Sequence, residues 1–600
     1  MKTFNITVSI CCLLAIAVSS CSLNTENEKN APAYTALTSL EDLRATAANL
    51  YLQPWYEFHK RMYLIGDARA NNLFQSTPDY GELNAQGTFN EAMSLQTVQR
   101  PWTSLYNVIT QADYVVFDYA PYCVKNNICS EDDASVVVGE ARLIRALAYY
   151  YLAIYWHNVP IVDNPTTMNQ QARTNPFEDV LRYAIIDAEY AFDHLPTAPY
   201  AIGRVSQVTA ATLLSRLYLT LGAYVEGEHC SEGWWAIDGT PVTANYLYTQ
   251  ADHYATEAIG LATSGGYGLM EDYEQIFRVQ NNNCKEVLFA LQFVAHNTTR
   301  GLANDLGASL CYSYCVDNNY GKAWTTYAGY DFLCVAALRG GMSRTRGNVF
   351  LPGTHYDYLY HELDSAAAAK RNDCRNHAMG ETWTVDPSST YVPIKKYVVG
   401  GPLATENVAT NGNSGFCTPL LRLSEAYLNQ TEARLLLNGG GVSSDNNVLD
   451  GINTIRRRAY KIEIEAGVYS GDYTTINLDT ILQERRMEFF GEGLWWGDIV
   501  RRSFRSDEDL QQMLHYMNNR LISVSSDLTV GCHRQYKYKY VLPTDKTLQV
   551  GMPALATSGT LVYRASRECT QENLWAMMYP PSEVSLDPNL ELEPVAYNFE

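Results

Sequence analysis

The chain has 600 residues, of which 46% are hydrophobic and 18% charged, enough apolar surface for a large folded body. A formal net charge of −21 excludes an extended nucleic-acid or anionic-lipid surface, because phosphates require compensating lysine and arginine. Tyrosine is unusually frequent at 44 residues, and aromatic residues make up 12% of the chain.

At the start, Lys2 precedes an apolar run from Ile6 to Val18 that is too short to span a bilayer. Val18-Ser19-Ser20-Cys21 follows. A basic tip, a short apolar core and small residues before a cysteine read as a bacterial lipoprotein signal, cut so that Cys21 carries acyl chains. The polar stretch after it is too hydrophilic to pack and serves as a tether. The chain then divides into a signal (1–20), a lipidated tether (21–35) and one folded body (36–600). Acyl chains attach a protein to a membrane without crossing it.

Helical periodicity sets in at Pro101, with Leu105, Val108, Ile109, Ala112, Val115 and Val116 on one side. A second segment keeps Val137, Ala141, Ile144, Ala148, Tyr151 and Tyr155 in phase, and its stripe Tyr149-Tyr150-Tyr151-Tyr155-Trp156 reads mainly as core. A third runs from Phe177 to His194 and stops before Pro196; a fourth, Ser206 to Leu221, opens on an N-cap serine. Tyr246 to Leu261 offers one more. The small positions Ala141, Ala148, Ala210, Ala211 and Ala433 permit close approach of paired helices.

Between Gly265 and Val399 the helical pattern fades. Lys285 to Phe293 alternates like a strand, and the rest is rich in Gly, Asn, Tyr and Trp. Long irregular stretches inside a compact body are usually binding loops.

From Leu420 to Arg502 three amphipathic segments return. LLRLSEAYLNQTEARLLL ends at Asn438 and three glycines, and VLDGINTIRRRAY follows it, an arrangement that predicts an antiparallel helix pair. LDTILQERRMEFFGEGLWWGDIVRR interleaves Glu484 and Glu488 with Arg485 and Arg486, which suits ion pairing with neighbouring segments.

These last three blocks, in order and spacing, resemble the signature run of the SusD/RagB family of surface nutrient-binding lipoproteins. Trp495-Trp496 departs from it, since the family often has an arginine and another aromatic there, and Asn158 stands where glycine is usual. KEVLFALQF, AAKRNDCRN, VPIKKYVV and the closing MYPPSEVSLDPNLELEP also resemble family landmarks. The resemblance implies a mainly α fold of tetratricopeptide-type helix pairs, about 101–262 and 418–502, with a loop-rich, ligand-facing insertion at about 265–399 and a few short strands. It further implies an oligosaccharide ligand, a SusC-like TonB-dependent transporter as partner, hand-off by a lid-like motion, and an outer-membrane position facing the exterior of a Gram-negative cell.

Glycan binding needs aromatic faces for sugar C–H surfaces and amides, carboxylates or arginines for hydroxyls. In the family the loop before the first helix pair and the irregular middle meet the ligand. Here those regions hold Asp67, Arg69, Asn71, Asn72 and Tyr80, then Tyr312, Tyr314, Tyr320, Trp324 and Tyr327; Trp234, Trp235 and Trp383 stand in reserve. The resemblance implies no cofactor, no metal ligand and no catalytic residue, although a calcium ion stiffening a loop stays open. Peptide as the ligand, as in RagB-like members, also stays open.

A helical glycoside hydrolase is the competing class. Against it, Glu484, Glu488, Glu492 and Asp498 lie among arginines, where ion pairing would depress their pKa values, the wrong direction for a general acid. No G-x-S-x-G, H-E-x-x-H or P-loop pattern occurs. Of the 14 cysteines, Cys11 and Cys12 leave with the signal and Cys21 takes lipid, so an odd number remains. Cys123 with Cys129, or Cys311 with Cys315, could close short loops; mostly buried thiols are an equal alternative.

Overall fold

Ser39 opens α1 (Leu40–Ala48) by accepting the backbone N–H of Asp42 at 3.2 Å, one of the donors a helix start leaves unpaired. In this computed structural model the described residues are 36–75, 86–163, 172–295, 413–518 and 568–599, with a few positions omitted, and shorter stretches between 299 and 410 and between 539 and 554. The expected signal and tether lie outside them.

The main helices are α2 (Leu95–Asp113), α3 (Glu131–Trp156), α4 (Phe177–His194), α5 (Gln207–Glu226) and α6 (Ala244–Ala262). After the insertion, which contains the short α7 (Met342–Asn348), come α8 (Leu423–Leu437) and α9 (Asn446–Ala459). Last are α10 (Leu478–Glu488), α11 (Trp495–Phe504) and α12 (Asp507–Asn518). From α2 through α6 each long helix packs on the next; α6 then packs on α8 across the insertion, and α8 on α9. The array is thus continuous in space although interrupted in sequence. Its seams hold the small residues anticipated above: Ala141, Ala148, Ala210, Ala211 and Ala433 are fully buried. Ser206 caps α5 in a reciprocal box with Thr209. The tyrosine stripe of α3 is core, with Tyr149, Tyr151, Tyr155 and Trp156 all buried.

Three expectations require correction. Helices begin before Pro101: α1 precedes it, and α2 starts at Leu95, with Pro101 inside the helix. That proline forfeits one backbone hydrogen bond, but buried Val98, Trp102 and Leu105 hold the turn against the core. Leu420 to Arg422 are not the first turn of α8. They belong to strand Thr418–Arg422, which pairs antiparallel with Val287–Leu291, and every residue of both strands is buried. A strand buried on both faces has no polar alternation to distinguish it from a buried helix. Finally, the last amphipathic block is two helices, α10 and α11, because Gly491 (φ 76°) and Gly493 (φ 77°) take left-handed backbone between them.

Candidate functional site

The two regions expected to meet a ligand lie some 250 residues apart in sequence, and the fold joins them. Strand β1 (Leu73–Gln75) pairs antiparallel with β3 (Thr326–Ala328), counting Val287–Leu291 as β2, so that Phe74 lies opposite Tyr327. The Gly329 N–H donates to the Asn72 carbonyl at 2.6 Å and extends the ladder. Segment 76–85 leaves this ladder from one strand, and segment 311–325 enters it from the other.

Below the ladder a π-helical turn, Leu64–Ala68, carries Asp67. The Asp67 carboxylate is fully buried and accepts the N–H groups of Gly491 and Gly493 and the Asn72 amide at 2.9 Å. Burial pushes its pKa up to about 6, against the pull of those three donors. Asn72 in turn accepts from Arg486 Nε at 2.7 Å. Arg69 pairs with Glu91, donates to Gln86 and to the Asn573 carbonyl, and lies 4.6 Å over the Trp496 ring. Asn71 is buried with left-handed backbone (φ 65°) beside Gly329, where a Cβ would sit 2.2 Å from the Asn71 oxygen.

Asp67, Arg69 and Asn72, expected to meet a ligand, are thus fully buried and engaged with interior partners. Trp496, which departs from the family pattern, supplies a face for Arg69. Tyr80, Tyr312, Tyr314, Tyr320 and Trp324 lie outside the described residues. Tyr327 and Trp383 are placed by backbone alone, the latter opposite Tyr356 in a three-stranded sheet. Trp234 and Trp235 stand elsewhere, half-buried near the C-terminus. Trp234 donates to Asp179 at 2.6 Å, and Arg182 sits between the Trp235 and Phe599 rings.

Sequence reasoning missed a groove of about 500 Å³ along α2. Gln96, Gln99, Arg100, Thr103 and Asn107 form one wall; Gln53, Tyr56 and Glu57 form the other. The Tyr56 hydroxyl and Lys60 converge on Asp305, which brings the rim of the irregular middle to the groove. Carboxamides, a hydroxyl and an ion pair suit hydroxyl-rich ligands. The polar stripe at 96, 99, 103 and 107 was its readable signal, at helical spacing.

The acids weighed above for a hydrolase, Glu484, Glu488, Glu492 and Asp498, are committed to ion pairs. Arg422 touches Glu286, Glu488 and Glu492; Arg458 touches Glu286 and Glu488; Arg344 touches Glu484 and Glu488; Lys396 touches Glu492. Burial would raise the Glu488 carboxyl, but Arg458, Arg422 and Arg344 outweigh it and hold it well below the usual carboxylate range. A second buried cluster joins Arg216 to Glu425, Arg485 to Glu425 and Asp498, and Arg501 to Asp498 and Glu432. Among the described residues no group of three or more His, Cys, Asp or Glu is disposed to hold a metal ion.

Comparison with known proteins adds the lineage. The SusD family pattern matches residues 344–590, and a pattern described as SusD-like, starch-binding associating with outer membrane, matches 57–219. A SusD-like protein of Bacteroides ovatus is 29% identical over 604 residues, covering 100% of this chain and 99% of its own. SusD-like protein P2 of Formosa agariphila is 22% identical over 65% of this chain and 70% of its own. A crystal structure solved with xylogluco-oligosaccharide is similar at TM-score 0.70 and 27% identity, over 93% of this chain and 99% of that one. A SusD homolog from Bacteroides thetaiotaomicron shares the fold at TM-score 0.62 and 18% identity, over 95% of this chain and 99% of that one. With helical architecture, signature blocks and relatives along the whole length in agreement, the chain belongs to the SusD-like family.

Proposed function

We propose that this protein is a surface lipoprotein that captures an oligosaccharide, without cutting it, and passes it to a SusC-like TonB-dependent transporter in the outer membrane. Cys21 is the proposed lipid attachment, with residues 21–35 as tether and 36–600 as one folded body. The observation that supports the reading is the β1–β3 ladder, which pairs Phe74 with Tyr327, so that the two stretches expected to meet a ligand are joined at their described ends. Similarity to a structure holding xylogluco-oligosaccharide supports a β-glucan-type ligand of that class. Stacking of sugar faces on preformed aromatic side chains, with little to order on binding, gives the modest affinity that hand-off requires. The groove along α2 offers polar contacts for hydroxyl groups of such a ligand.

The test is retention of the purified mature chain in gels cast with xyloglucan or other polysaccharides, and titration with xylogluco-oligosaccharide. The double variant Trp324→Ala, Tyr327→Ala should lose retention while keeping its melting temperature. Unchanged migration would move the site elsewhere. Polysaccharide turnover abolished by replacing one carboxylate would overturn the reading in favour of a hydrolase.

A further inference from the structure

Helix Ala120–Lys125 ends in a Schellman turn. The Ile128 N–H reaches back to the Cys123 carbonyl at 2.9 Å and the Asn127 N–H to Val124 at 3.1 Å, with Asn127 in left-handed backbone at φ 54°. Such a turn folds the chain sharply onto the last helical turn. Here it returns the chain to Cys123, with Cys129 one residue beyond the Ile128 N–H that makes the contact. Cys123 is fully buried and Cys129 half-buried. One residue further on, Ser130 opens α3 by accepting the Asp133 N–H. The pair therefore sits at the joint between the end of the α2 arm and the longest helix of the array.

We propose that Cys123 and Cys129 form a disulfide in the mature protein, a clasp that fixes the entry of α3. The inference rests on the reading that the folded body lies beyond the inner membrane, where disulfides persist. The oxidant is a protein disulfide of a thiol oxidoreductase. The more exposed Cys129 thiolate attacks one of its sulfurs, expelling the other as a thiolate and forming a mixed disulfide. The Cys123 thiolate then attacks Cys129 Sγ and releases the second oxidoreductase sulfur. Two thiols of this chain lose two electrons and two protons, and the oxidoreductase disulfide becomes a dithiol. Burial raises the pKa of both thiols, so spontaneous exchange is slow at neutral pH and a catalyst is needed. The backbone turn is complete without the bond.

The experiment uses the full chain, expressed with its own leader and recovered from the membrane. It is denatured and alkylated without reductant, digested, and read by mass spectrometry. The expected result is a peptide spanning both residues that resists alkylation, is lighter by two hydrogens, and accepts two alkyl groups after reduction. In Cys123→Ser the remaining Cys129 thiol should alkylate without reductant, and in Cys129→Ser the Cys123 thiol should do so. In parallel, purified reduced protein is held in oxidised glutathione with a catalytic amount of a thiol oxidoreductase. If the pair stays reduced there too, the inference is overturned. If it oxidises in glutathione yet arrives reduced from cells, the clasp geometry stands and the compartment reading fails.

Discussion

The Asp67 carboxylate accepts the Gly493 N–H at 2.7 Å and the Gly491 N–H at 3.0 Å, bridging 426 residues of sequence. Alongside it, Gly66 meets Gly493 so closely that a Cβ would lie 2.3 Å from the Gly493 oxygen. The Tyr155 hydroxyl donates to that same oxygen at 2.9 Å. One glycine corner between α10 and α11 thus holds the segment from which the β1 loop is launched.

Replacing Asp67 with alanine should leave two backbone N–H groups and the Asn72 amide without acceptors in a dry interior. The expected cost is about 2–4 kcal/mol of stability, measured by chemical denaturation. Gly66→Ala should be at least as damaging, since its obstacle is backbone that cannot step aside. An Asp67→Ala variant as stable as the parent would show that the corner is not held by this carboxylate.

By contrast, Gly260 lies near the end of α6, and nothing stands within 4 Å of the place a Cβ would take there. Gly260→Ala should stabilise the chain by about 0.5–1 kcal/mol, because alanine loses less backbone freedom in a helix. A fall in melting temperature would contradict that open surface.

Removing Arg422 as alanine should strand Glu286, Glu488 and Glu492 together without their common cation. The expected loss is about 3–5 kcal/mol, or failure to accumulate as folded protein. Arg422→Lys should recover part of it, since the charge returns but not the planar fork. Equal melting temperatures for Arg422→Ala and the parent would mean that the cluster contributes nothing net.

Three buried carboxyls should favour the fold in mildly acidic solution. Asp67 and Asp113 have pKa values pushed up by burial to about 6, and burial pushes Glu178 to about 7. Their folded values exceed their unfolded ones, so the protonated form favours the fold. That contribution is whole below the unfolded pKa, near 4, and is lost as pH rises through 6 to 7. Glu488, Glu425 and Glu432 act oppositely: burial would raise them, but neighbouring arginines lower them below 4.5, so their contribution fades as pH falls below that value. Buried His59 and His157, lowered by burial to about 4 and about 3, act against these carboxyls as pH falls below 6.5, so the test is a difference: Asp67→Asn should lose less melting temperature than the parent between pH 5 and pH 8. Identical pH dependence of the two proteins would refute this assignment.

Much of the helical array was legible because each helix carries its own evidence. The bounds of α4 follow from the periodicity before Pro196, and Ser206 announces α5. Leu420 to Arg422 were misread because a strand buried on both faces shows no alternation, and only its partner, Val287–Leu291, defines it. At the candidate site, composition identified the two aromatic segments but not their pairing. It also could not distinguish an Asp67 or Arg69 offered to a ligand from one consumed by the interior.

The amino-acid order alone determined the lineage, the helix-forming segments and the acids destined for ion pairing, because hydrophobic period, caps and charge spacing are properties of neighbouring residues. Which polar atoms are spent inside and which distant strands pair were decided only in three dimensions. Burial and hydrogen-bond partnership depend on residues hundreds of positions away, and no local pattern encodes them.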